Sequence, residues 1–270
     1  MDTSYPAAST ALHIGSLRGQ VSDAEFQARI DLAACYRLCD HYGMSDMIAT
    51  HISARVPDAP DQFLVIAHGL LFHEVTASSL LKVSLDGRVL LQPQFGNGLP
   101  DYDLQPAAFV IHSALYLARP DVMAAMHTHT VAGMAVSALQ CGLLPLTQTA
   151  TRFTSRIAYH DFNGPEREPA ERAKLAEHLG QENVMILRNH GLLTVGPSIP
   201  EAFNFMFSLE RACRAQLAAM ACNTPLRVLP QAMAAKSEDA YAPGATRVYG
   251  RKEWPGLLRM LDRADPAYRE

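Results

Sequence analysis

Apolar residues recur along this chain at two spacings, and each change of spacing marks an element. Behind Ser22, the residues Phe26, Ile30, Ala33 or Ala34, and Leu38 fall at helical intervals. The pattern predicts a helix over Asp23 to Tyr42, opened by a Ser22/Glu25 capping box and stopped by Gly43. The spacing then shortens. Ile48 to Val56 and Phe63 to Ala67 read as strands, with Asp58-Ala59-Pro60-Asp61 as the turn between them. Leu80 to Val83 and Val89 to Gln92 read as a hairpin through Asp86-Gly87, and Gly96, Gly98 and Pro100 as a loop. Asp103 can cap a helix reaching about Ala118, and Val122 to His127 reads as a buried strand. Ala132 to Leu139 reads as a helix, Leu143 to Leu146 and Arg156 to Tyr159 as short strands, and Glu168 to Leu179 as an amphipathic helix. Val184 to Leu187 and Leu192 to Val195 are strands around Asn189-His190-Gly191. Ser198 and Glu201 repeat the capping box, with Pro200 in the permitted first turn of a helix running to about Cys222.

The two ends lack such a pattern. Met1 to Val21 is read as an arm, residues 22–224 as one mixed α/β domain, and residues 225–270 as an irregular extension. In that extension Pro225, Pro230, Pro243 and Pro255 argue against long elements. Many strand connections look antiparallel. Arm and extension need a surface to pack on, either the domain itself or a neighbouring subunit, so a homo-oligomer is expected.

Composition narrows the function. The chain has 270 residues, 49% hydrophobic and 19% charged, with net charge −4. Disorder is excluded as the main state, and the charge argues against a nucleic-acid partner. No apolar run is long enough to span a membrane, and no secretory leader is visible. The five cysteines contain no CxxC pair, so free thiols in a reducing cytoplasm are expected.

Eleven histidines carry the candidate chemistry. His127-Thr128-His129 follows the apolar strand, and residues two apart on an extended chain face one way. Two imidazoles side by side form a ready pair of metal ligands. His190, at a turn between two apolar strands, is a third candidate; the alternative is a hydrogen-bonded turn histidine. Three histidines without a fourth protein ligand compose a catalytic metal site with an open position.

The runs MHTHTVAGMAVSALQCGLLPL, IAYHDFNG and ILRNHGLLTVG followed by PEAF resemble the class II aldolase/adducin family. Upstream, YRLCDHYGMSDMIATHISAR and GLLFHEVTASSLLKV fit the same family, so the likeness spans about Asp31 to Cys222 and lies nearest the adducin-head branch. The resemblance implies a three-layer α/β/α sandwich on a central, mostly antiparallel sheet. It implies a divalent metal, most often Zn2+ with Fe2+ or Mn2+ as alternatives, on His127, His129 and His190. It also implies a homotetramer with the site near subunit contacts.

The departures from the family pattern are equally specific. The position of the aldolases' acid/base glutamate is Ala108, and the hydroxyl residues that bind phosphate are replaced by Pro106 and Ala107. The strand-end glycine–asparagine motif reads Thr50-His51, and Gln148 and Thr149 lie where some aldolases carry a proton-donating tyrosine. Substitute catalytic groups could come from Glu74, His112 or His160, with His51 and Asp161 as further candidates. Arg55 and Arg152 could grip a substrate carboxylate, and Tyr159 reads as core. The expected function is a metal-dependent lyase, of decarboxylase or aldolase type, on a small non-phosphorylated oxo- or hydroxy-acid. The alternatives are a non-catalytic adducin-like protein of actin or cytoskeletal type, and a non-haem iron oxygenase on the same triad.

Overall fold

A computed structural model of the chain describes residues 12–95, 102–164, 169–242 and 248–270. Eight strands form one sheet in the order β4-β3-β2-β1-β5-β8-β7-β6. They are β1 (His51–Val56), β2 (Ala59–Ile66), β3 (Leu80–Ser84), β4 (Val89–Leu91), β5 (Ala124–Thr128), β6 (Ala158–His160), β7 (Val184–Leu187) and β8 (Gly191–Gly196). Every neighbouring pair is antiparallel except β6 and β7.

Seven helices lie among the described residues: α1 (Asp23–His41), α2 (Pro106–Ala118), α3 (Val131–Ser137), α4 (Pro169–Leu179), α5 (Ile199–Ala221), α6 (Gln231–Asp239) and α7 (Trp254–Ala264). The alternation of β5 shows how the layers divide. Met126 meets Cys35 of α1 and Thr128 meets Met206 of α5, so these residues face one helical layer. His51 and Ser53 of β1 reach His112 of α2, on the other. The fold is the expected α/β/α sandwich.

Local signals explain most of the elements. Ser22 accepts the N–H of Glu25 at 3.1 Å, as an N-cap should. The Glu25 carboxylate does not complete the box; it pairs with the fully buried Arg29 and with Lys82. Arg29 also donates to the carbonyls of Ala77 and Leu80, which pins α1 to the start of β3. Ser198 caps α5 through the N–H of Glu201. Gly87, at φ +94°, makes the β3–β4 turn.

Four expectations need correction. Asp103 does not cap α2: it forms a bridge with His68, and Gln105 is the N-cap. The β1–β2 turn is tighter than expected, with Asp58 at φ 62° and β2 beginning at Ala59. Leu143 to Leu146 is not a strand. The buried Gln216 of α5 bonds the Leu144 N–H and the Gly142 carbonyl with its side-chain amide, satisfying that backbone as a strand partner would. The extension is not irregular, because Pro230 stands at the N-cap of α6 and Pro255 in the first turn of α7, where proline is tolerated. Trp254 donates to Asp31 of α1, and Tyr268 is fully buried. Of the arm, Leu17 is buried and its N–H bonds Ser78. The expected Gly96–Pro100 loop and Glu168 lie outside the described residues.

All five cysteines are free; Cys35, Cys39 and Cys213 are buried, while Cys141 and Cys222 are exposed. No described helix is long and apolar enough to cross a membrane.

Candidate metal centre

His127 is the penultimate residue of β5, and His129 lies just beyond the strand's last residue, Thr128. His190 sits in the β7–β8 turn, where Asn189 takes φ 56°. Gly191 makes the approach possible: a Cβ there would lie 2.4 Å from the Thr128 carbonyl oxygen and 3.2 Å from the His129 ring. The glycine therefore admits the neighbouring strand. The result is a triad whose ligating atoms all lie within 4.8 Å of one another.

Anchors fix two of the rings. His127 Nδ1 lies 3.0 Å from the Leu192 carbonyl, and His129 Nδ1 lies 3.0 Å from the Asp46 carboxylate. Each acceptor holds a hydrogen on Nδ1, leaving the Nε2 lone pair free to ligate. Those two Nε2 atoms face each other at 2.9 Å. Burial, followed by the nearby His51, His190 and His129 rings, holds His127 well below the ordinary histidine range. Imidazole nitrogens converging in this way fit a divalent cation.

His51 pairs with His127 across β1 and β5, and their ring centroids are 5.1 Å apart. Behind His51 runs a buried polar seam. His51 Nδ1 lies 2.7 Å from His112 Nε2, His112 Nδ1 lies 2.6 Å from Ser53 Oγ, and Ser53 Oγ lies 2.7 Å from Tyr116 Oη. Burial, with a further push from His127, lowers His112 to about 3. Burial, followed by His112, also puts His51 well below its usual range. Ala108, His112 and Tyr116 lie four residues apart on one buried face of α2.

The other candidates have partners of their own. The Glu74 carboxylate accepts the Leu71 N–H at 2.8 Å and caps the short turn Phe72–Glu74, under α1. His160 ends β6 and lies 2.8 Å from His178 of α4, Nδ1 to Nδ1, while Asp161 pairs with Arg188. Arg55 is buried and donates to the carbonyls of Val122, Pro60, Tyr116 and Arg119, closing the C-terminus of α2. Arg152 ties the turn before β6 to Asn204 and Ser208 of α5. Tyr159 is half-buried and accepts the Leu143 N–H. Asp46, Ser53 and Tyr116 were not singled out from sequence. The alternation His51, Ser53, Arg55 in a strand otherwise built of Ile52, Ala54 and Val56 is the signal that could have pointed to the seam.

The model of the class II aldolase and adducin N-terminal domain matches residues 30–217. The chain belongs to the class II aldolase and adducin family. An aldolase II superfamily protein from Pseudomonas syringae is 42% identical, over 95% of this chain and 100% of that one, at a TM-score of 0.85. L-fuculose 1-phosphate aldolase from Glaciozyma antarctica PI12 is 29% identical, over 91% and 93%, at 0.78. Alpha-adducin from Rattus norvegicus is 38% identical over 265 residues, 92% of this chain but 35% of the adducin. The family's aldolases depend on a divalent metal, and this member carries the histidine triad that can hold one.

Proposed function

We propose that His127, His129 and His190 hold one divalent ion, zinc by preference, and that the protein is a metal-dependent lyase on a small, non-phosphorylated oxo- or hydroxy-acid. The facing Nε2 atoms of His127 and His129, each with its Nδ1 already anchored, carry this reading. A bound divalent ion supplies Lewis acidity to negative charge developing on substrate oxygens. The protein's part is to keep three rings in place at the sheet end, with Phe162 6.1 Å from the His190 ring and the exposed Met47 and Val131 close in sequence to Asp46 and His129. Ala108 cannot move a proton, and Pro106 and Ala107 offer no hydroxyl to a phosphate. Glu74 is occupied as a cap and His160 is paired with His178, so neither supports the role of substitute base. The reaction favoured is one limited by enolate stabilisation, such as decarboxylation. Those exposed apolar side chains also support assembly as a homotetramer with the triad near a subunit contact, and the free thiols support a cytoplasmic setting.

Metal analysis of protein purified without added metal tests the centre. About one ion per chain is expected, lost in the His127→Ala/His129→Ala variant; unchanged occupancy in that variant would refute the assignment. A screen over oxo- and hydroxy-acids then tests the chemistry, with fuculose 1-phosphate expected to turn over far below the typical enzyme value of about 10 s⁻¹. The likeness to alpha-adducin, together with Ala108, favours a second reading as a binding protein without catalysis. Absence of metal and of all turnover would support it.

A further inference from the structure

The seam between β1 and α2 ends beside the triad, and its hydrogens can be placed one by one. Tyr116 is 2% exposed, and the partner of its hydroxyl among the described residues is Ser53 Oγ. A buried hydroxyl hydrogen without an acceptor is costly, so the phenol donates to Ser53. Ser53 then directs its own hydrogen at its other neighbour, His112 Nδ1. With Nδ1 accepting, a neutral His112 carries its hydrogen on Nε2 and donates to His51 Nδ1. No carboxylate among the described residues bonds either ring, and both are buried, which keeps them uncharged. His51 Nδ1 therefore accepts, and the hydrogen of His51 sits on Nε2. The opposite order would leave the Tyr116 hydroxyl aimed at no acceptor.

His51 consequently has no lone pair to lend a metal, although its ring lies beside that of His127. It offers a single N–H, turned away from α2 and held by three residues behind it. Fixed donors of this kind suit anionic oxygens. We propose that His51 Nε2–H orients the substrate by donating to a carboxylate oxygen of the molecule bound at the triad, with His112, Ser53 and Tyr116 as positioning residues. The proposal rests on the reading of the triad as a metal centre, and it specifies the substrate class as a small carboxylate-bearing acid.

Nitrogen-15 NMR of histidine-labelled, metal-free protein reads the tautomers directly, with the His51→Asn variant assigning the signals. His51 and His112 are each expected to carry hydrogen on Nε2, and Tyr116→Phe is expected to release that preference at His112. A His51 protonated on Nδ1 would overturn the proposal. Calorimetric titration of the zinc-loaded protein with oxalate tests the donor. His51→Asn, which keeps an N–H, should bind within about threefold of the parent, and His51→Leu about tenfold or more weaker. Equal oxalate affinity for His51→Leu and the parent at equal zinc content would also overturn the proposal. Failure of the parent to load zinc would remove the metal centre, and the donor role with it; unaltered tautomers would mark that failure as distinct.

Discussion

Among the described residues the Asp46 side chain bonds the His129 ring at Nδ1, from a loop 83 residues away in sequence. Groups that orient a metal ligand typically govern affinity by about 10–100-fold, and Asp46→Ala is expected to weaken metal binding by that amount in a chelator competition. An unchanged affinity would contradict the role. Gly191→Ala tests the approach of β8 to β5. Its Cβ would press on the Thr128 carbonyl oxygen, and a cost of about 1–3 kcal/mol in urea unfolding is expected, together with weaker metal retention. At this scale the triad was legible because His127 and His129 share one strand face and His190 stands in a conspicuous turn. Asp46 was not, since no periodicity links a loop carboxylate to a ring so distant in the chain.

The pairing of β1 with α2 makes an element-scale prediction about acid. The His112 ring, ordinarily at 6.5, is held at about 3 by burial. As pH falls through 6.5 the unfolded chain takes up a proton that the folded ring refuses. The contribution of His112 is therefore complete above about 6.5 and is lost progressively towards about 3. The limiting slope is about 1.4 kcal/mol per pH unit for each such ring, and His51 and His127 are shifted in the same direction. Urea midpoints of the metal-free protein should fall steeply between about pH 6.5 and 5, and His112→Asn should flatten the dependence. Stability that rises on acidification would contradict the assignment. Helices with a serine cap and an acid three residues on, α1 and α5, were readable directly. The Leu143 to Leu146 segment misled because its apolar run finds the Gln216 amide instead of a strand. The late helices were missed because prolines that open helices were taken as prolines that break them.

At the scale of the whole molecule, helices lie on both sides of the sheet, and several large apolar side chains stay exposed. Met47 is 76% exposed and Val131 79%, both close in sequence to residues of the site. Light scattering at micromolar concentration is expected to give the mass of a tetramer, and charged replacements at Met47 and Val131 should reduce it. A monomeric mass in the parent would contradict the assembly. The thiols offer a separate view of the same layers. Burial raises Cys213 to about 12 and Cys35 well above its ordinary value, so a reactive thiolate forms at these sites only when the helices lift from the sheet. An alkylating reagent should therefore modify Cys141 and Cys222 promptly, and Cys35, Cys39 and Cys213 at a pace set by opening of the fold. Counting adducts by mass would turn three ordinary core residues into a clock for the breathing of the sandwich.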